Sequence, residues 1–437
     1  MFIKSFFPPR LLAMLLLAAA PGLKAQERWT AEQCMRYAAL HSHGARQQAI
    51  GLDERKTERL QALGAFLPQV GASVGGQYNF GRAIDPETNT YTDVSTFNNG
   101  YSLSASVSLF DGLQRIHRLR AAQAAVALGR DALQAARDEA AQQALLRFAD
   151  VAYRRGTLTL ALAKRAESQR LMRKTELMLE VGTRSEADLA QTRATLAADD
   201  YEATLQQGLL NQALLALKAC MNFPLDEPLE PDSLLAVAEG LSSTSSPYPR
   251  VRQAEREAEV ARHKLRAARG GLFPSLALGA GWSTTYYQTL HRPNATPYAT
   301  QLRNNAGRYV YASLSVPLFG RFQAITNLRR QRLALSRAEE RLDEERTQLQ
   351  RLLAETQAEV ESTRSEVQKM CRRVEADSLS THLVTRRYEE GLASPLDVQT
   401  AAVALLQSQA LLLHGRLTLD CKTRLLNYYK GNPLWTE

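Results

Sequence analysis

Between Tyr101 and Leu109 the chain alternates without a break. Tyr101, Leu103, Ala105, Val107 and Leu109 are apolar, and Ser102, Ser104, Ser106 and Ser108 fall between them. This period of two predicts a strand with one greasy face and one small polar face. Phe110-Asp111-Gly112 ends it. From Leu113 to Val181 an Ala/Leu/Arg/Glu-rich run follows, with no proline and two glycines, Gly129 and Gly156. At 1.5 Å per residue that helix is roughly 100 Å long, more than a compact domain buries. A second alternating segment after Pro68 places Val70, Ala72, Val74, Gly76, Tyr78 and Phe80 on one face, and the Asn/Thr/Asp-rich stretch 81–99 reads as an exposed loop. Residues 68–109 therefore predict one long-looped hairpin. Ahead of it, Thr30-Ala31-Glu32-Gln33 is a capping box that opens a single helix to about Ala65.

The same plan recurs. Phe273-Pro274 precedes Leu276, Leu278, Ala280 and Trp282; a polar loop runs to about Arg308; then Val310, Ala312, Leu314, Val316 and Leu318 alternate with Tyr311, Ser313 and Ser315. At one fixed offset Val107–Phe110 matches Val316–Phe319, Gly182, Ser185 and Asp188 match Gly391, Ser394 and Asp397, and Pro224-Leu225 matches Pro433-Leu434. A register kept over a whole helix pair indicates an internal duplication. Leu119, Val126, Leu133 and Ala140 form a heptad shared with Leu328, Leu335, Leu342 and Leu349, after which the second copy shifts by four to Leu353, Val360, Val367 and Val374. Such a stutter locally relaxes a coiled-coil supercoil. The expected organisation is a signal peptide over 1–25, a first repeat over 26–225, a linker over 226–246 and a second repeat over 247–437. The return leg after Ser394 is expected to take the N-terminal helix as its stacking partner.

Residues 1–25 have the marks of an export signal: Lys4 and Arg10, an apolar stretch from Leu11 to Ala20, and a small residue, Ala25, before Gln26. No later run approaches 18 consecutive apolar residues, so membrane contact is expected from strands rather than a helix. The formal net charge of +9 is spread along helices, without the focused basic face that nucleic-acid binding needs. The cysteines Cys34, Cys220, Cys371 and Cys421 are far apart, and spacing alone does not pair them. There is no nucleophile–base motif, metal-ligand cluster or phosphate loop, so neither catalysis nor a cofactor is expected.

Four strands cannot close a barrel, and a sheet in lipid leaves no open edge, so closure requires several chains. Tyr78, Tyr101, Trp282, Tyr286, Tyr287, Tyr309 and Tyr311 near the strand ends suit an aromatic girdle, with the serine face turned to water. The paired hairpins, the V-x-L-F strand ends, the long helices and the G-x-x-S-x-x-D turns resemble the TolC-type outer-membrane efflux proteins over essentially the whole mature chain. The resemblance implies a homotrimer with a twelve-stranded β-barrel in the outer membrane. A long α-helical coiled-coil barrel would continue it across the periplasm and dock at its tip to a periplasmic adaptor and an inner-membrane pump. The function it implies is a passive efflux duct; a protein-secretion duct of the same fold and a non-conducting envelope coiled coil are the alternatives.

The turns Gly182-Thr183-Arg184-Ser185 and Gly391-Leu392-Ala393-Ser394 would form that docking tip. Gly182 and Gly391 suit left-handed helix ends, Ser185 and Ser394 suit N-caps, Pro395 suits the first helical position, and Asp188 and Asp397 suit the third. By resemblance, Asp397 would also lie in a pore constriction, a second acid being replaced here by Thr400. Tyr388 matches a tyrosine that ties the closed tip. The family's arginine of the second turn is Ala393 here, whereas Arg184 stands in the first turn. Tyr388, Arg184, Asp188 and Asp397 are thus the gate candidates.

Overall fold

The computed structural model describes residues 28–84, 89–93, 95–232, 248–290 and 296–435. The export signal and most of the linker, from 233 to its end, lie outside them. In chain order the elements are α1 (Ala31–His41), α2 (His43–Gly64), β1 (Gln69–Asn79), β2 (Arg82–Ile84), β3 (Tyr91–Asp93), β4 (Thr96–Phe110), α3 (Gln114–Glu180), α4 (Glu186–Met221), α5 (Pro249–Gly270), β5 (Ser275–Thr289), α6 (Tyr298–Asn304), β6 (Gly307–Ser315), α7 (Gln323–Glu389) and α8 (Pro395–Tyr429).

The two halves share one geometry. Helices α3 and α7 are each 67 residues long, and both start after a left-handed residue, Leu113 or Phe322. α3 packs against α1, α2, α4, α5 and α8, while α7 packs against α5 and α8. The protected positions of α7 form one narrow stripe through Leu328, Leu335, Leu342 and Leu349, then Leu353, Val360, Val367 and Val374. The four-residue shift in the heptad is therefore carried by the packing itself.

Three expectations change. The N-terminal helix breaks at Ser42, whose backbone turns extended at φ −61° and ψ 147° and whose Oγ accepts from the Ala45 N–H to cap α2. The loop 81–99 contains the β2–β3 pair, and β4 begins at Thr96, five residues before the serine alternation, because Thr96 to Gly100 still pair with β1. α2 packs along α3, not above α8. One flank of α2 and most of α7 stay uncovered within the chain. α8 is also long and apolar enough, by length and composition, to cross a membrane, although no unbroken apolar run announces it. Gln407, Ser408, Gln409, His414 and Arg416 interrupt the helix, and it packs along α7.

The sheet runs β1-β4-β5-β6, antiparallel throughout, with β1 and β6 as its edges. Register sorts its side chains, since partners across strands share a face. Ser102, Ser104 and Ser106 lie with Gln69, Gly71, Ser73, Gly279, Gly281, Ser283 and Ser313 on one face. Val70, Ala72, Val74, Leu103, Ala105, Leu278, Ala280, Val310 and Leu314 lie on the other. The aromatic set divides accordingly. Tyr78, Tyr101, Trp282 and Tyr286 belong to the apolar face, whereas Tyr287, Tyr309 and Tyr311 belong to the serine face and cannot join a girdle on the other side. Tyr311 and Tyr309 lie over Gly279 and Gly281, where any β-carbon would collide with the rings. Among the described residues no helix covers most of this sheet: Val70, Val74, Val310 and Leu314 are between 66 and 76% exposed.

The core lies elsewhere, partway along the rod, where α1, the middle of α3, the ends of α4 and α8, and the C-terminal Leu434 and Trp435 enclose Phe148, Leu145, Met35, Leu217 and Met221. None of the four cysteines is paired, and burial there pushes the Cys34 thiol up to about 12. Asp138 is buried among these residues. Its carboxylate accepts from Tyr428 Oη and Trp435 Nε1, both at 3.0 Å, and from Gln134 Nε2 at 2.9 Å. Burial raises its pKa although the hydrogen bonds oppose the rise. A raised folded-state carboxyl favours the native state most below the ordinary carboxylate range and loses that advantage as pH rises through the raised value. Asp138→Ala leaves two buried donors without an acceptor and should cost roughly 2–5 kcal/mol. In thermal melts, wild type should gain on Asp138→Asn as pH falls toward 4; a pH-independent difference would contradict the assignment.

Candidate functional site

At the end of the rod farthest from the sheet, two turns stand side by side. In the first, Gly182 has φ +80°, its N–H bonds to Leu179 O at 2.9 Å, and the Thr183 N–H bonds to Met178 O at 2.9 Å. In the second, Gly391 has φ +81°, with Gly391 N–H to Tyr388 O at 3.0 Å and Leu392 N–H to Arg387 O at 2.8 Å. Both pairs are Schellman closures, which need a left-handed residue that glycine supplies without steric cost. The returning helices start with reciprocal caps. Asp188 N–H donates to Ser185 Oγ and Ser185 N–H to Asp188 Oδ2, each at 3.2 Å; the Asp397–Ser394 counterparts are 3.2 and 2.9 Å.

The repeats are tied to each other by residues that break their symmetry. Arg184 of the first turn reaches into the second, where Nη2 donates to Tyr388 O at 3.1 Å and to Ala393 O at 3.2 Å. Its guanidinium also lies 4.4 Å from the centroid of the Tyr388 ring, within cation–π range. Tyr388 is fully buried, and its hydroxyl meets Thr175 Oγ1 of α3 at 2.8 Å. Lys174 pairs with Glu389 at 2.8 Å one position along. Further up, Gln399 Oε1 accepts from Gln191 Nε2 and Thr195 Oγ1.

Arg184 and Tyr388 are thus brought together. Asp188 and Asp397 are not part of that contact; each carboxylate is engaged by its own cap, and the caps account for both aspartates within one chain. The Ser394 N–H and hydroxyl hold the Asp397 carboxyl below its ordinary range. Leu392 and Leu396 at the second turn, and Leu177 and Val181 just before the first, remain exposed. Sequence reasoning missed Thr175 and Lys174, because their partners lie more than 200 residues away.

A bare-edged, membrane-type sheet set on a long helical rod with a doubled turn at its far end is the architecture of outer-membrane channel chains. Sequence comparison gives the family: the chain belongs to the outer membrane efflux proteins, whose family model matches residues 36–222 and 241–424. Its location is accordingly the outer membrane and its class that of a channel. A comparison with curated proteins finds no match. Among solved structures, the fold is similar to VceC of Vibrio cholerae at TM-score 0.76 and 17% identity, covering 92% of this chain and 96% of that one. It is similar to CmeC of Campylobacter jejuni at 0.74 and 14%, covering 93% and 87%. It is also similar to the open state of MtrE of Neisseria gonorrhoeae at 0.65 and 19%, covering 93% and 89%.

The reciprocal cap carries a pH signature. Because the folded Asp397 carboxyl is depressed, the cap is complete above the ordinary carboxylate range and is lost as pH falls through the depressed value. Ser394→Ala should speed amide exchange at Asp397 severalfold without changing α8 beyond its first turn. Unaltered exchange at Asp397 would show that the cap is not formed in solution.

Proposed function

We propose that three copies of this chain join edge to edge into a twelve-stranded barrel in the outer membrane, continued across the periplasm by a hollow helical tube. The observation that carries this reading is the sheet. Among the described residues, β1 and β6 leave one row each of backbone donors and acceptors without strand partners, and in lipid each such group costs several kcal/mol. Pairing β6 of one copy with β1 of the next removes both edges at once. The uncovered flanks of α2 and α7 then meet across the same joints. The serine face lines the water path, and the apolar face meets lipid. The duct is passive; a periplasmic adaptor seated on the exposed leucines of the tip and an inner-membrane pump open it and supply the cargo.

Within that assembly, the contact among Arg184, Tyr388 and Thr175 restrains the tip. Opening must pull α7 and α8 away from α3 and α4, and Arg184 holds the second turn by two carbonyls and a ring face. The arginine therefore does in trans, from the first repeat, what Ala393 cannot do in the second. A ring of Asp397 carboxylates, one per copy, would add cation binding at the narrowest point, weaker than where Thr400 is also an acid.

Purified protein should have the mass of three chains, shift its electrophoretic mobility on heating and conduct in planar bilayers. A water-soluble monomer without conductance would remove the proposal. The double variant Tyr388→Phe/Arg184→Ser should conduct more than wild type in the absence of partners. Equal single-channel conductance would free these residues from the gate while leaving the duct intact.

A further inference from the structure

The strands β1, β4, β5 and β6 contain one charged residue among them, Arg308. It stands on the apolar face, directly across from Trp282, and is exposed; among the described residues it has no hydrogen-bond or ion-pair partner. An unpaired guanidinium on a lipid-facing surface is costly unless something anionic meets it. Beside it lies a groove of about 460 Å³, floored by Ala105 and Ala280 and flanked by Leu103, Trp282 and Val310. Two residues beyond Trp282 on the same face, Thr284 Oγ1 donates to Leu302 O of α6 at 2.6 Å. The depression is therefore apolar along its floor and positively charged at its end toward α6.

We propose that this groove holds a phosphate-bearing lipid of the membrane leaflet farther from the helices, its phosphate on Arg308 and one acyl chain lying over Ala105 and Ala280. The proposal rests on the reading above that the apolar face meets lipid. Guanidinium and phosphate form paired, charge-assisted hydrogen bonds, and a tryptophan beside a basic residue is the pairing expected at headgroup level. A neighbouring copy is the other conceivable occupant. It would pair with the edge of β6, however, whereas the groove's floor belongs to the inner strands β4 and β5. Ala105 and Ala280, opposite each other between Leu103, Trp282 and Val310, leave room for a chain rather than for a packed joint.

The test is native mass spectrometry of the full-length protein in detergent, titrated with dioleoylphosphatidylglycerol, dioleoylglycerol or inorganic phosphate. Wild type should retain the phosphatidylglycerol, and neither dioleoylglycerol nor phosphate alone should bind comparably. Arg308→Gln should weaken retention about tenfold, with Arg308→Lys falling between. Ala280→Leu, which fills the groove and leaves the charge, should weaken it as well. Retention unchanged in Arg308→Gln or in Ala280→Leu overturns the site, as does phosphate binding as tightly as the lipid. Dissociation of Arg308→Gln into single chains also overturns it, assigning the arginine to the joint between copies. Oligomeric mass and conductance are recorded in parallel: their loss in wild type refutes the barrel itself, whereas their retention beside unchanged lipid binding refutes only the groove.

Discussion

Unpaired backbone at the two edges of a four-stranded sheet is the constraint on which the rest of this molecule depends. Water can satisfy such an edge in a soluble protein; hydrocarbon cannot. The membership of the outer membrane efflux family and the apolar face of the sheet place those edges in hydrocarbon. The sequence of each strand follows from that demand. One face must be compatible with lipid, the other must be small and wettable, and charge must be absent, which the strands obey everywhere except at Arg308. The pleat then makes a single registry decisive, because a slip by one residue would carry every serine to the lipid face.

The helical rod answers a different demand. A chain that keeps its hydrophobic cluster at mid-length, around Phe148, Leu145 and Met35, leaves its two functional ends poor in core. The sheet is held by register and surroundings, and the tip by a few polar contacts and caps. That distribution suits the opening tip proposed above, with few packed apolar contacts at the tip and many where α1, α3, α4 and the C-terminus converge. The buried Asp138 fits this division. Three side-chain donors fix its carboxylate in the best-packed part of the rod, tying the C-terminal Trp435 and Tyr428 to α3.

Much of the fold was legible because its signals are local and long. The 67-residue helices, the serine alternation, both left-handed glycines and both Ser–Asp caps follow from period and capping chemistry, and the structure reproduces them. What escaped depends on tertiary context or on short elements. The break at Ser42 has no proline to announce it, only a capping serine and Gly44 two residues on, both common inside helical runs. α6 has seven residues and no apolar period. The aromatic girdle was drawn from position along the strands, whereas membership of a face is set by parity, which moves Tyr287, Tyr309 and Tyr311 to the serine side. The apolar character of α8 is an average over a helix interrupted by polar residues, so no single run revealed it.

The tip shows how duplication and asymmetry combine. Two copies of one turn give two identical Schellman closures and two identical caps, a symmetric frame that by itself distinguishes neither helix pair. Arg184 breaks the symmetry by spanning from the first copy to the carbonyls and ring of the second. Its counterpart at the matching position, Ala393, offers a backbone oxygen and no side-chain bulk, so it receives the guanidinium rather than competing with it. On the gate proposed above, Arg184 would take the place of the arginine that the resemblance marks as missing from the second turn. Each arginine then ties one helix pair to the other within its own chain. In a trimer, three such ties would act in parallel, and a partner that draws the second pair outward has to break the same polar contact in every copy before the tube can widen.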